Sequence, residues 1–262
     1  MTELACQARD FAKTLALEAA NKLRQSVGQK HDVEFKSPGD WCSALDRQIE
    51  DHLRQRIAER FPDHGFLGEE SAHTEIKEGL LWVVDPIDGS MNFLRGYPQY
   101  AISIALLSDG EPLAACIVDP SRQEVFSAAA GHGACLNDTP LHVAQTVALS
   151  KAVAATVFPK PQSTWMPSYL TEFGQVVSSM AGVRRSGSMA LELAYLAAGR
   201  VDTFWAHGMG SWDAAAGVLL IREAGGQVFT LDGLRWCDSQ SIAAAAPGVA
   251  KAWLALLRPE TH

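Results

Sequence analysis

Between residues 80 and 140 the chain is a succession of short apolar segments separated by turn chemistry. LLWVVD, YAISIALL, PLAACIVD and EVFSAAA are divided and followed by stretches such as SDGE, DPSRQ and GHGACLNDTP. Runs of this length bounded by Gly, Pro, Asp and Asn are strands, and strands this close together pair antiparallel as a meander. Helices precede them. In residues 3–25, Leu4, Ala8, Phe11, Leu15, Ala19 and Leu23 recur at spacings of three and four, the helical period. Residues 43–60 repeat it with Leu45, Ile49, Leu53 and Ile57. Ser43 is the candidate cap of this second helix, and FPDHG breaks it.

Beyond residue 145 the texture is mixed α/β. AVAATVF, VDTFW, QVFTL and IAAAA are strand-like. PSYLTEFGQVVSSM, SMALELAYLAAG and SWDAAAGVLLIREAGG are helical, and AWLALL belongs to a terminal helix. Ser211 is the candidate cap of the third of these, with Gly225 and Gly226 as its stop. The expectation is an α+β or α/β fold in two layered subdomains, residues 1–145 and 146–262.

Composition narrows the function. The 262 residues suffice for a large core. Lys plus Arg number 22 against 30 acids, a formal charge of −8, which argues against a broad nucleic-acid surface. An anionic ligand would then need metal ions to reverse the local field of an acidic pocket. The five cysteines are scattered, with no CxxC, so neither a disulfide framework nor a cysteine zinc site is expected. No apolar run approaches the roughly 18 residues of a membrane span. MTELACQARDFAK lacks the basic-then-apolar order of a signal peptide, so a cytoplasmic location is expected.

The chemistry concentrates in VVDPIDGSMNF, Val83 to Phe93. A strand ending in Asp-Pro can splay there, because Pro86 has no N–H for the ladder. Asp85 and Asp88 can then share one pocket at the sheet's end. Gly89 permits close backbone approach, and the amides of Gly89 and Ser90 could open a short helix whose free N–H groups hold phosphate. DPIDG is equally ordinary turn chemistry when taken alone. Further acids are Glu69 and Glu70 in GEES, Asp213 in the first turn of SWDAAAG, and Asp46 just after Ser43. Each by itself fits a solvated surface or a helix-dipole role.

Together, GEES at 68–71, WVVDPIDGSMNF at 82–93, RRSGSMALELAYLAAGRVD at 184–202 and WDAAAGVLLIREAGG at 212–226 resemble the inositol monophosphatase family across nearly the whole chain. The resemblance implies a layered αβαβα sandwich and a Mg²⁺-dependent, Li⁺-sensitive phosphatase acting on a small phosphorylated metabolite. It implies that Glu69, Asp85, Asp88, Asp213 and the Ile87 carbonyl hold up to three Mg²⁺ ions, hard cations suited to oxygen ligands. Glu69 and Ser90 would orient the attacking water, and Gly89 and Ser90 would hold the phosphate. Asp46, with Lys36 and Asp40 nearby, matches a family acid that either supports the catalytic groups or holds a third metal, and it joins Glu69 and Ser90 as a candidate catalytic residue. A homodimer is the implied assembly.

The departures concern the alcohol. Ala206 stands where inositol-cleaving members carry a glutamate for sugar hydroxyls, His207 follows it, and Met189 fills a place usually small. Ser188, Met189, Ala206, His207 and Arg185 are the candidate pocket residues. Arg184 and Arg185 could reach a phosphate or a dimer partner, or be solvated. Trp41 is either a wall of the site or core, and Cys42 a buried thiol. Inositol 1-phosphate or a similar sugar phosphate is the expected substrate. Histidinol phosphate is an alternative of the same chemistry. A non-catalytic partner of the transcription apparatus is the alternative of another class.

Overall fold

The structure, a computed structural model, describes residues 2–29, 32–37, 40–71 and 79–258. In chain order the elements are α1 (Thr2–Ser26), β1 (Val33–Ser37), β2 (Asp40–Ser43), α2 (Ala44–Arg60), β3 (Gly65–Gly68), β4 (Leu80–Asp88) and α3 (Ser90–Leu94). There follow β5 (Ala101–Ser108), β6 (Glu111–Asp119), β7 (Glu124–Ala129), β8 (Ala134–Leu136), β9 (Thr139–Pro140) and β10 (Val153–Thr156). The remainder are α4 (Met166–Ser179), β11 (Gly182–Arg184), α5 (Met189–Ala197), β12 (Thr203–His207), α6 (Ser211–Glu223), β13 (Gln227–Thr230), β14 (Ser241–Ala245) and α7 (Pro247–Leu257).

The expected meander is the centre of a seven-stranded sheet in the order β3-β4-β5-β6-β7-β8-β9, antiparallel except for β3 beside β4. Its strands are apolar almost throughout because both faces are covered. Trp82, Val84, Ile102 and Ile104 face the cluster built on α1 and α2. The alternate residues Leu81, Val83, Ala105 and Leu107 face the cluster built on α5 and α6. Ala5, Ala8, Ala12, Ala16, Ala19 and Ala20 of α1 are fully buried, and their small side chains let the helix lie close against β5 and β6.

A second sheet, in the order β11-β10-β12-β14-β13, stands on the far side of α5 and α6, and α4 and α7 cover its outer face. The layers therefore run helix, sheet, helix, sheet, helix, which is the αβαβα sandwich. Among the described residues no helix is long and apolar enough to cross a membrane.

Three local features differ from the sequence reading. The β1–β2 hairpin and the short strands β3, β8, β9 and β11 lack apolar runs long enough to read. The cap of α6 is Gly210 rather than Ser211: the Asp213 carboxylate receives the Gly210 N–H at 2.7 Å, so the acid inside the first turn caps the helix. And β4 does not end at Pro86 but resumes to Asp88 after an irregularity.

The central helical layer positions both halves of the cleft. Gly217 of α6 lets α5 approach so closely that a Cβ there would lie 2.4 Å from the Cβ of Leu193. Replacing Gly217 by Ala is expected to lower stability by about 1–3 kcal/mol, as overpacking does. A chemical-denaturation midpoint unchanged from wild type would contradict this packing.

Candidate active site

The irregularity in β4 sets the geometry. Asp85 pairs with Ser103 and Asp88 with Ala101, so three steps on β4 match two on β5. Residues three apart on a regular strand face opposite sides, and one extra residue turns them to the same side. Pro86 sits within this bulge, where the missing N–H is no loss. The Asp85 carboxylate also accepts the Ile87 N–H at 3.0 Å, which tightens the turn. Asp85 and Asp88, from one strand, thus join Asp213 from α6, with one oxygen of each within 4.8 Å of the others.

The turn that follows depends on glycine. Gly89 has φ +88°, and a Cβ there would meet the Gln99 carbonyl at 2.9 Å and the Gly187 carbonyl at 3.3 Å. It releases the chain into α3, whose first N–H groups have no acceptor within the helix. Asn92 then ties α3 across the cleft, donating to the Gln99 carbonyl at 2.7 Å and the Ser186 carbonyl at 2.9 Å. The Ser90 hydroxyl lies 2.5 Å from the Asp46 carboxylate and 2.8 Å from the Ile87 carbonyl. Asp46 is itself fixed by the Ser43 N–H at 2.8 Å and the Ser43 hydroxyl at 2.5 Å. Ser43 is indeed the cap of α2, so this helix start serves both the helix and the site.

The two adjacent glutamates part company. Glu69 faces the cavity beside Asp85, while Glu70 accepts from Lys36 at 2.6 Å. The Lys36 ammonium also lies 3.8 Å from Glu69. Burial alone would lower the lysine's pKa, but the bond to Glu70 and the two glutamate charges raise it on balance. The side chain of Asp40 lies outside the described residues.

Electrostatics single out the cluster. Burial, with the charges of Glu69, Asp88 and Asp213, pushes Asp85 well above the usual carboxylate range. Burial also raises Asp88 to about 6, against the lowering effect of its hydrogen bonds. Those bonds come from the Ser188 hydroxyl, from Ala190 N–H at 2.8 Å and from Met189 N–H at 3.2 Å, all at the start of α5. The donor set is oxygen only, preorganised and mutually repelling. A divalent cation among these oxygens relieves the repulsion, and all-oxygen coordination suits Mg²⁺. The residues present therefore fit such an ion, with Glu69, Asp85, Asp88 and Asp213 as the acids in reach.

These acids line a cavity of about 180 Å³ with Ile87, Gly89, Ser90, Trp41 and Arg185. Trp41 is therefore a wall of the site, half-buried, with its ring in edge contact with Phe35 at 5.2 Å. A larger cavity of about 390 Å³, lined by Leu67, Leu107, Arg235 and Cys237, holds no such cluster among the described residues. Cys42 is buried, and burial pushes its thiol up to about 11, as for a packed thiol rather than a nucleophile.

A second cavity of about 200 Å³ adjoins the first, sharing Asp88, Asp213, Arg185 and Gly187 with it. Met189 and His207 line this second space. Ser188 is buried with its hydroxyl on Asp88, and Ala206 is fully buried in the core. Sequence reading passed over Asn92, Phe158, Lys160 and Met209. The last three also line the second cavity, but only its three-dimensional closure brings them there. Asn92 stood inside the conspicuous motif, and its two carbonyl partners are 7 and 94 residues away.

Comparison with known proteins agrees with this geometry. The model of the "Inositol monophosphatase family" matches residues 6–262. An "Inositol-1-monophosphatase" of Rhizobium meliloti is 43% identical over 212 residues, 80% of each chain. A "Nus factor SuhB" of Pasteurella multocida is 36% identical over 254 residues, 95% of each chain. The crystal structure of extragenic suppressor protein suhB from Bartonella henselae superposes with a TM-score of 0.88 at 36% identity, covering 95% of this chain and 97% of that one. The chain belongs to the inositol monophosphatase family, the Mg²⁺-dependent phosphoric monoester hydrolases built on this layered fold.

Proposed function

We propose that the chain hydrolyses the phosphate monoester of a small alcohol at the Asp85–Asp88–Asp213 cluster, with inositol 1-phosphate as the reference substrate. The observation that carries this reading is the three-carboxylate cluster, with oxygens within 4.8 Å of one another, set at a bulged strand end beside the start of α3. Glu69, Asp85, Asp88, Asp213 and the Ile87 carbonyl would hold up to three Mg²⁺ ions. When bound, Mg²⁺ supplies charge neutralisation at the phosphate and lowers the pKa of water.

The protein's own groups do the rest. Ser90 donates its one hydroxyl proton to Asp46, which leaves its oxygen as an acceptor for a proton of the attacking water. Glu69 offers a second acceptor within the same cavity. Two acceptors fix the water's orientation for in-line displacement. The N–H groups of Gly89 and Ser90, which line the same cavity, would hold the phosphate, and donors placed before the reaction need no reorganisation during it. The Ser188 hydroxyl and the amides at the start of α5 hold Asp88 in its place. The "Nus factor" names of some relatives raise the non-catalytic alternative, but the complete acid set favours catalysis.

Three outcomes follow. Mg²⁺-dependent phosphate release should vanish in Asp85→Asn. In Ser90→Ala, kcat should fall by about 10²- to 10⁴-fold, the range for loss of general acid–base assistance. Unaltered turnover in Ser90→Ala would remove Ser90 from the mechanism. Ser188→Ala should weaken Mg²⁺ binding about 10- to 100-fold by calorimetry, as loss of a group supporting a ligand does.

The metal-free protein should also show a distinctive pH response. Asp88, raised to about 6, keeps its proton in the folded state where the unfolded chain has lost it. The stability this group confers is fully present below about pH 4 and is lost as pH rises through its folded value. In chelator, wild type should lose more thermal stability between pH 5 and pH 7 than Asp88→Asn. Equal losses would contradict the shift.

A further inference from the structure

The second cavity adjoins the proposed metal-binding acids, which makes it a place for the leaving alcohol. Val157, Phe158, Met189 and Met209 are its apolar lining, and Ala206, fully buried in the core, adds no polar side-chain atom. The polar atoms of His207 are already engaged: Nδ1 lies 2.8 Å from the Ser241 hydroxyl and Nε2 lies 2.7 Å from Glu172. The ring is stacked on Trp165 with centroids 5.2 Å apart. A polyol entering here would find both imidazole nitrogens already bonded, which disfavours it.

Among the described residues that line this cavity, Lys160 and Arg185 are the cations, and the carboxylates are Asp88 and Asp213, the proposed metal ligands. Arg185 is held with its guanidinium 4.7 Å above the Phe158 ring. Among the described residues no carboxylate pairs with it. Other arginines such as Arg60 and Arg95 also lack an acid partner among the described residues, but Arg185 is the arginine that lines both cavities beside the cluster. A guanidinium held by a ring, without an acid partner and facing a cavity, is suited to receive an anion.

We propose that the alcohol released by this enzyme carries a second anionic group, which docks on Arg185 with Lys160 beside it. This deepens, and rests on, the phosphomonoesterase reading above. The same field repels an ammonium, which sets histidinol phosphate below neutral esters of similar size. The class of reaction that supplies such a substrate is phosphorylation of a hydroxy acid, or of an alcohol already bearing a phosphate.

The test uses substrate pairs that differ in that one group. Glycerol 2-phosphate and 2-phosphoglycerate share a skeleton and differ by a carboxylate in place of CH₂OH. Propane-1,3-diol monophosphate and bisphosphate differ by a second phosphate. The full-length Mg²⁺-loaded protein should favour the anionic member of at least one pair by about tenfold or more in kcat/KM, and which pair responds tells carboxylate from phosphate. Arg185→Gln should lower the anionic-to-neutral ratio by about tenfold, chiefly through KM. Lys160→Gln should lower it less. Calorimetric binding to Ser90→Ala, which turns over slowly, should show the same preference without catalysis.

Equal rates within both pairs would overturn the proposal, as would faster release from inositol 1-phosphate or histidinol phosphate. An Arg185→Gln loss that is equal on neutral and anionic members would also overturn it, because Arg185 would then grip the transferred phosphate. In each of these results the neutral esters still release phosphate, so the phosphomonoesterase reading survives. Absence of Mg²⁺-dependent release from every ester would sink that reading and this one together.

Discussion

Like charges brought together out of water repel, and the structure is organised around holding such a group in place. Asp85 is buried, Asp88 is nearly so, and Asp213 completes a cluster whose oxygens lie within 4.8 Å of one another. Burial and then this repulsion displace Asp85 upward, while Asp88 is raised by burial. Two unpaired carboxylates in a low-dielectric space would simply stay protonated. A divalent cation would reverse that balance, and the crowding that sets these carboxylates against one another is what suits them to hold one.

The rest of the fold reads as support for that cluster. The bulge in β4 turns two aspartates to one side of the sheet. The central helical layer carries the third, and its two helix starts supply what the carboxylates need: donors from α5 for Asp88, and for Asp213 the N–H of Gly210. Ser43 and Asp46 at the start of α2 do the same for Ser90. Helix starts have donors to spare, and anionic side chains there are stabilised by the dipole as well. Four elements distant in sequence therefore meet through one physical rule. On the proposed leaving-group side Met189 and Met209 stand beside Lys160 and Arg185, and the proposed selectivity rests on charge rather than on a network of hydroxyl partners.

Much of this was legible in the residues. The long helices and the meander announced themselves because their periods of 3.6 and their short apolar runs are strong signals. The DPIDG motif told of two carboxylates and a glycine turn, and the acids at 69 and 213 stood in place to join them. What the chain concealed was of two kinds. The β1–β2 hairpin and the strands of two to four residues bury too little to leave a pattern. The mutual arrangement of Lys160, Arg185, Phe158 and Met209 arises from segments separated by tens of residues, and nothing local marks it. Asp213 in the first turn of α6 shows how a plain reading can mislead: a dipole partner and a proposed metal ligand are the same residue, and capping of Gly210 by Asp213, not by Ser211, keeps its carboxylate in position.

The most direct measurement is anomalous diffraction from crystals soaked in Mn²⁺, which takes oxygen ligands as Mg²⁺ does and scatters strongly enough to be located. The expected result is at least one anomalous peak bounded by Asp85, Asp88 and Asp213, lost in Asp85→Asn. A wild-type map with no peak at this cluster at millimolar Mn²⁺, or with ions only elsewhere on the surface, would contradict the assignment of these carboxylates as the metal centre.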